Sequence, residues 1–180
     1  MKPFYRVVFF LWLVILSTVL FGSSAFGATI WDVVNDVSQI QYQTYQTDIE
    51  NMGLGFYGGS VYDQGFRNRD GWAGDGTLGN QEARLYLWDQ FSALGLDVSI
   101  QGRYKNVVGE LLGTQRPDDI FIVGGHYDTT EDGGMPGGDD NASGTAGVLE
   151  ARVLSQYSFG STLRFIGFNA EEDWMKDSGN

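Results

Sequence analysis

The sequence predicts an α/β domain built on a largely parallel central sheet, and three observations carry that reading. Strand-like and helix-like segments alternate after residue 80. Two short apolar runs, at 120–123 and 162–168, have the continuous hydrophobicity of strands buried on both faces. The residues best suited to metal and proton chemistry cluster just past those two runs.

Taken in order, the chain opens as an export signal. Lys2 and Arg6 form a basic start, an apolar run covers 7–21, and small residues follow around Gly22, Ser23, Ser24, Ala25 and Gly27. The run falls short of the ~20 apolar residues a membrane span needs. Residues 1–27 are therefore expected to be a signal peptide. The remainder is expected outside the cytoplasm, periplasmic or extracellular, with no stable membrane partner. Residues 28–79 read as a separate N-terminal stretch. Trp31, Val34, Val37, Ile40 and Tyr45 recur at helical spacing over 30–50, and a loop dense in Gly and aromatic residues covers 53–79.

From residue 80 the pattern sharpens. Ala83, Leu87, Phe91 and Leu94 make one helical stripe, and Gly95 stops it. A strand fits 104–112, with Val107 and Val108 inside, and the turn at 113–117 leads into the 120–123 strand. An acidic, glycine-rich loop spans 128–142. A helix follows over 143–156, capped by Asn141 or Ser143, and the 162–168 strand comes next.

Composition narrows the chemistry. Hydrophobic residues make up 42% of the 180, enough to bury a core. Asp plus Glu number 23 against 11 Lys plus Arg, a net charge of -12 that repels phosphate backbones and excludes nucleic acid as a natural partner. Cysteine is absent, so disulfides, thiol catalysis and thiolate metal sites are excluded. Any metal must be held by carboxylates and by His126, the sole histidine.

Three clusters meet that requirement. His126 and Asp128 follow the first apolar run, Asp139 and Asp140 precede the helix, and Glu171 and Glu172 follow the second run. His126 offers a ring nitrogen to zinc, and Asp128, two residues on, can hold the other nitrogen. Asp139 could bridge two cations, while one of the paired glutamates ligates and the other moves a proton. Each cluster also has a plain structural reading: a hydrogen-bonded His–Asp pair, helix capping by Asp-Asp-Asn, and a solvated Glu-Glu turn. Asp128, Thr130, Asp132, Gly133 and Asp139 further mimic the spacing of a calcium loop, although a strand rather than a helix precedes them.

Together the clusters carry a resemblance. Gly125-His126-Tyr127-Asp128-Thr129, Pro136-Gly137-Gly138-Asp139-Asp140-Asn141-Ala142-Ser143-Gly144 and Phe168-Asn169-Ala170-Glu171-Glu172 stand in order at short spacings. The flanks Asn106-Val107-Val108-Gly109-Glu110, Glu150-Ala151-Arg152-Val153-Leu154 and Thr162-Leu163-Arg164-Phe165-Ile166 agree with them. This pattern resembles the secreted di-zinc aminopeptidases of metallopeptidase family twenty-eight, from about Arg69 onward. The resemblance implies a three-layer α/β/α fold, with residues 80–180 as the N-terminal part of the peptidase domain. It implies two Zn2+ ions. His126 and Glu172 would be terminal ligands and Asp139 the bridge, joined to Asp140 by a cis bond. Asp128 would orient His126, and Glu171 would be the general base. The implied substrates are peptide or protein N-termini.

The chain departs from the family where Trp174 and Asp177 replace two usual glycines. The family also implies a further Asp and a second His, which this sequence lacks. The expectation is therefore an incomplete metal site and a fold incomplete at its C-terminus, from a fragment or a truncated, inactive product. A glutaminyl cyclase of the same fold, a non-catalytic binding relative and another exopeptidase are the competing functions.

Overall fold

The computed structural model describes residues 29–51, 69–71, 76–130 and 136–172. The chain divides into Met1–Ile30 and Trp31–Asn180, and nearly all of the described residues fall in the second unit. The expected signal peptide, most of the 53–79 loop and the departure around Trp174 and Asp177 lie outside the described residues.

The expected helix over 30–50 is two helices, α1 (Ile30–Asn35) and α2 (Gln39–Glu50). Ser38 separates them. It is extended, and its hydroxyl accepts the Gln41 N–H at 3.2 Å, which starts a new helix there. Helix α3 (Leu78–Ala93) starts at Thr77, whose side chain accepts the Asn80 N–H, and buries Ala83, Tyr86, Leu87 and Phe91. Gly95, at φ +74, then turns the chain.

Strand β1 (Asp97–Gln101) follows, an element the hydrophobic pattern did not reveal because four of its five residues are exposed. A turn with Gly102 and Lys105 at positive φ leads to β2 (Asn106–Leu111). Strand β3 (Arg116–His126) is longer than its apolar centre. The helix expected at 143–156 is split at Glu150 into α4 (Ser143–Leu149) and α5 (Ala151–Leu154), and β4 (Ser161–Phe168) completes the sheet.

The strand order is β1-β2-β4-β3. The α/β class is as expected, but parallel pairing is confined to β3 and β4, since β1–β2 and β2–β4 are antiparallel. The reason is connectivity. Only β3 and β4 are joined by a helical crossover, whereas the β1–β2 turn is too short for anything but a hairpin. Helices α3 and α4 lie on one face of the sheet, so a single helical layer is present among the described residues. Gly109, Phe165, Gly167 and Gly125 mark that face in register. A Cβ on Gly109 would come within 2.9 Å of the Phe91 ring, and one on Gly125 within 3.0 Å of Gly144. These glycines let α3 and α4 approach the strands closely. Phe91 and Phe165, ring centroids 6.4 Å apart, centre the core. Among the described residues strand β3 borders β4 alone, and Phe121 and Ile122 on it are exposed.

Candidate metal centre

The β3–crossover–β4 unit brings the chemistry together. Two adjacent parallel strands end on the same side, so His126, paired with Phe168 in the register, stands beside the loop leading to Glu171 and Glu172. The segment Gly138–Ala142, just before α4, delivers Asp140 to that end. His126, Asp140 and Glu172 each offer one ligand atom within 4.8 Å of the others.

Around the imidazole the geometry is two-sided. His126 Nε2 lies 3.0 Å from Asp140 Oδ1 and 3.8 Å from Glu171 Oε2. On the other side Nδ1 approaches Asp128 Oδ1 to 3.4 Å, without the alignment of a hydrogen bond, so both buried atoms lack a hydrogen-bond partner among the described residues. Asp128 is fully buried, and its second oxygen accepts the Glu172 N–H at 3.1 Å. One buried carboxylate thus touches both the imidazole and the backbone of the glutamate pair. The His126 carbonyl accepts a bond from Thr145 Oγ1 at 2.7 Å, which ties the end of β3 to α4.

The electrostatics favour a cation. Burial alone would lower the His126 pKa, but Asp128, Glu171 and Asp140 outweigh it and hold the imidazole above its ordinary value. Burial and then Asp140 push Glu172 up, His126 opposes them, and Glu171 and Asp128 add smaller upward effects. Four carboxylates around one imidazole leave excess negative charge that a divalent ion would neutralise, and one nitrogen with carboxylate oxygens is a donor set zinc accepts. The residues present therefore fit a zinc ion.

The site differs from the sequence expectation at one position. The resemblance implied Asp139 as the ligand, but the structure brings Asp140 to His126 and leaves Asp139 outside the group. The cis peptide likewise lies at Asp140–Asn141 rather than at Asp139–Asp140. The backbone supplies the reason. Asp140 (φ -121, ψ 91) leaves the helical region just where the chain supplies the ligand atom. The Asp139 carbonyl is meanwhile held by Ser143 Oγ at 2.9 Å. Two adjacent aspartates are equivalent to a reader of sequence, and only this turn distinguishes them. His126, Asp128, Glu171 and Glu172 do converge. Asn169 carries no chemical signal of its own in the sequence, yet it is buried, and its N–H donates to Asn106 Oδ1 at 3.0 Å. Ala170 next to it takes a left-handed φ of +60, a costly conformation for a side chain with a Cβ, just before Glu171.

Comparison with known proteins gives the same direction. The model of Peptidase family M28 matches residues 106–180. A probable zinc metalloprotease of Pyrenophora tritici-repentis is 37% identical over 81 residues, covering 41% of this chain and 19% of that protein. The Legionella pneumophila LapA aminopeptidase structure superposes with a TM-score of 0.59 at 20% identity, covering 84% of this chain and 39% of that one. The glutaminyl cyclase of Porphyromonas gingivalis gives 0.53 at 21% identity, covering 75% and 46%. The two structures speak for the fold alone, since one fold serves both. The chain spans less than half the length of each of these three proteins. The family match, the ordered motifs and the fold agree: residues 106–180 are similar to Peptidase family M28.

Proposed function

We propose that this chain is part of a zinc-dependent exopeptidase that removes residues from peptide N-termini, and that it acts outside the cytoplasm. The observation that carries the reading is the meeting of His126, Asp140 and Glu172, with Glu171 beside them and Asp128 buried behind. The similar protein of Pyrenophora tritici-repentis is named a probable zinc metalloprotease, which supports the zinc-peptidase part of the reading. The basic start and apolar run at residues 2–21 support export.

His126, Asp140 and Glu172 would hold one ion, and Asp140, with two oxygens, could share itself with a second. Zinc, when bound, supplies Lewis acidity toward a peptide carbonyl and toward a hydrolytic water. Asp128 sits at Nδ1 of His126, which leaves Nε2 free to ligate. Glu171, with a side chain 60% exposed, reaches the open side of the group. Its carboxylate takes a proton from the attacking water and returns it to the leaving amine.

The test is hydrolysis of an aminoacyl anilide by the full-length protein that contains this chain, alongside an N-acetylated copy of the same substrate. The expected result is cleavage of the free amine only, and Glu171→Gln should reduce it by about 10²–10⁴-fold with metal content unchanged. Cleavage of the acetylated substrate would reject the exopeptidase assignment. Undiminished turnover in Glu171→Gln would remove Glu171 as the base.

A further inference from the structure

Arg69 lies outside the segment that matches the family, yet it is fully buried. Its guanidinium donates only to backbone carbonyls among the described residues. Nε reaches Tyr127 O at 2.8 Å, Nη1 reaches Pro136 O at 2.7 Å and Ile49 O at 3.1 Å, and Nη2 reaches Gly137 O at 3.2 Å. Tyr127 stands between His126 and Asp128, and Pro136 and Gly137 open the turn that carries Asp140. One rigid planar fork therefore joins the two loops that supply these residues, across separations of 58 to 68 positions in sequence.

The main chain repeats the link. The Arg69 N–H donates to Thr129 Oγ1 at 3.0 Å, and the Thr129 N–H donates to Arg69 O at 3.3 Å. Asn80 extends it to the third loop. Its Nδ2 donates to Arg69 O at 2.8 Å and to Asn169 Oδ1 at 2.7 Å, and Asn169 lies two residues before Glu171. Gly71 completes the contact, since a Cβ there would fall 2.8 Å from the Ala170 nitrogen.

A buried cation is costly, and carbonyl oxygens repay only part of the cost. Burial lowers the Arg69 pKa to about 10, against the opposing pull of Asp128 and Glu50, and the group stays charged at neutral pH. An apolar side chain would fill the space but could not join four carbonyls.

We propose that Arg69 is a positioning residue for the metal centre: it sets the spacing between the His126–Asp128 loop and the Asp140 turn, and so sets the affinity for the ion. This rests on the metal-centre reading above and deepens it.

The experiment is a cobalt(II) titration of the chain, read by visible absorbance, for wild type, Arg69→Lys and Phe91→Ala. Lysine keeps the charge and loses the fork. Phe91→Ala empties part of the core on α3 and serves as the control for lost stability alone. The expected result is a cobalt dissociation constant raised at least about 30-fold in Arg69→Lys, with a change under about threefold in Phe91→Ala, whose melting temperature falls further. Equal affinity in Arg69→Lys and wild type overturns the inference, as does an equal weakening in Phe91→Ala. A wild-type chain that binds no cobalt overturns the metal-centre reading and the inference with it. Should Arg69→Lys fail to fold, hydrogen exchange of the wild type decides. Cobalt must slow exchange in peptides covering residues 69–80 if that arm is coupled to the ion, and unchanged exchange there overturns the proposal.

Discussion

Replacing Asp140 or Asp139 by alanine, one at a time, tests the site at the point where structure and sequence disagree. Asp140 supplies one of three ligand atoms that lie within 4.8 Å of each other. Four-ligand structural zinc sites bind with apparent free energies of about 10–16 kcal/mol, so one ligand is worth about 3 kcal/mol, or about 10² in affinity. Part of that loss is returned, because removing Asp140 relieves its repulsion on Glu172. The expected net weakening for Asp140→Ala is therefore about 30-fold or more. Asp139 gives the group no atom, and its carboxylate acts only through space. At one Debye length, about 8 Å, a carboxylate contributes about 0.4 kcal/mol to a divalent ion in screened water, a factor of about two. The assay is the same cobalt titration at neutral pH and fixed salt, with thermal melts of both apo variants to confirm folding. Tight binding by Asp140→Ala together with lost binding by Asp139→Ala would refute the structural assignment and restore the one the sequence suggested.

Two further outcomes are expected. Gly109→Ala places a Cβ 2.9 Å from the ring of the fully buried Phe91 and 3.0 Å from Leu96, so it should destabilise the fold by about 1–3 kcal/mol in urea denaturation. Unchanged stability would show that the α3–β2 contact has slack. Tyr157 donates to Asp36 Oδ2 at 2.5 Å, and that bond, with burial and the Asp36 and Asp32 charges adding to it, pushes the phenol up to about 12. The folded value lies above the unfolded one. The stabilising effect of this pair is therefore present below about pH 10 and is lost as pH rises toward 12. Asp36→Asn should return one tyrosine to the ordinary range in an ultraviolet titration, and an unaltered curve would exclude the pairing.

Much of the site was legible because its signals are local. His126, Asp128, Glu171 and Glu172 each follow an apolar run that reads as a strand, and strand ends in α/β sheets are where ligands gather. The first run was expected to be buried, yet residues 120–123 are exposed because β3 lies at the edge of the described sheet. The helix at Leu78–Ala93 was legible from its stripe and its stop at Gly95. Strand β1 was not, because an exposed edge strand needs no apolar alternation. The break at Ser38 was missed because helical spacing runs on across it, while the cap that restarts the helix is a single hydroxyl.

By itself, then, the sequence determined the α/β class, the absence of thiol chemistry, the family likeness and four of the residues that converge at the site. Tertiary structure alone decided the rest. It brought Asp140 rather than Asp139 into the group, at a turn whose backbone leaves the helical region at Asp140. It made Arg69 and Asn80 part of the site, because hydrogen bonds to carbonyls 58 or more residues away leave no trace in spacing or composition. It also set the sheet mostly antiparallel, since pairing direction follows from which strands a crossover joins and not from the strands' own residues.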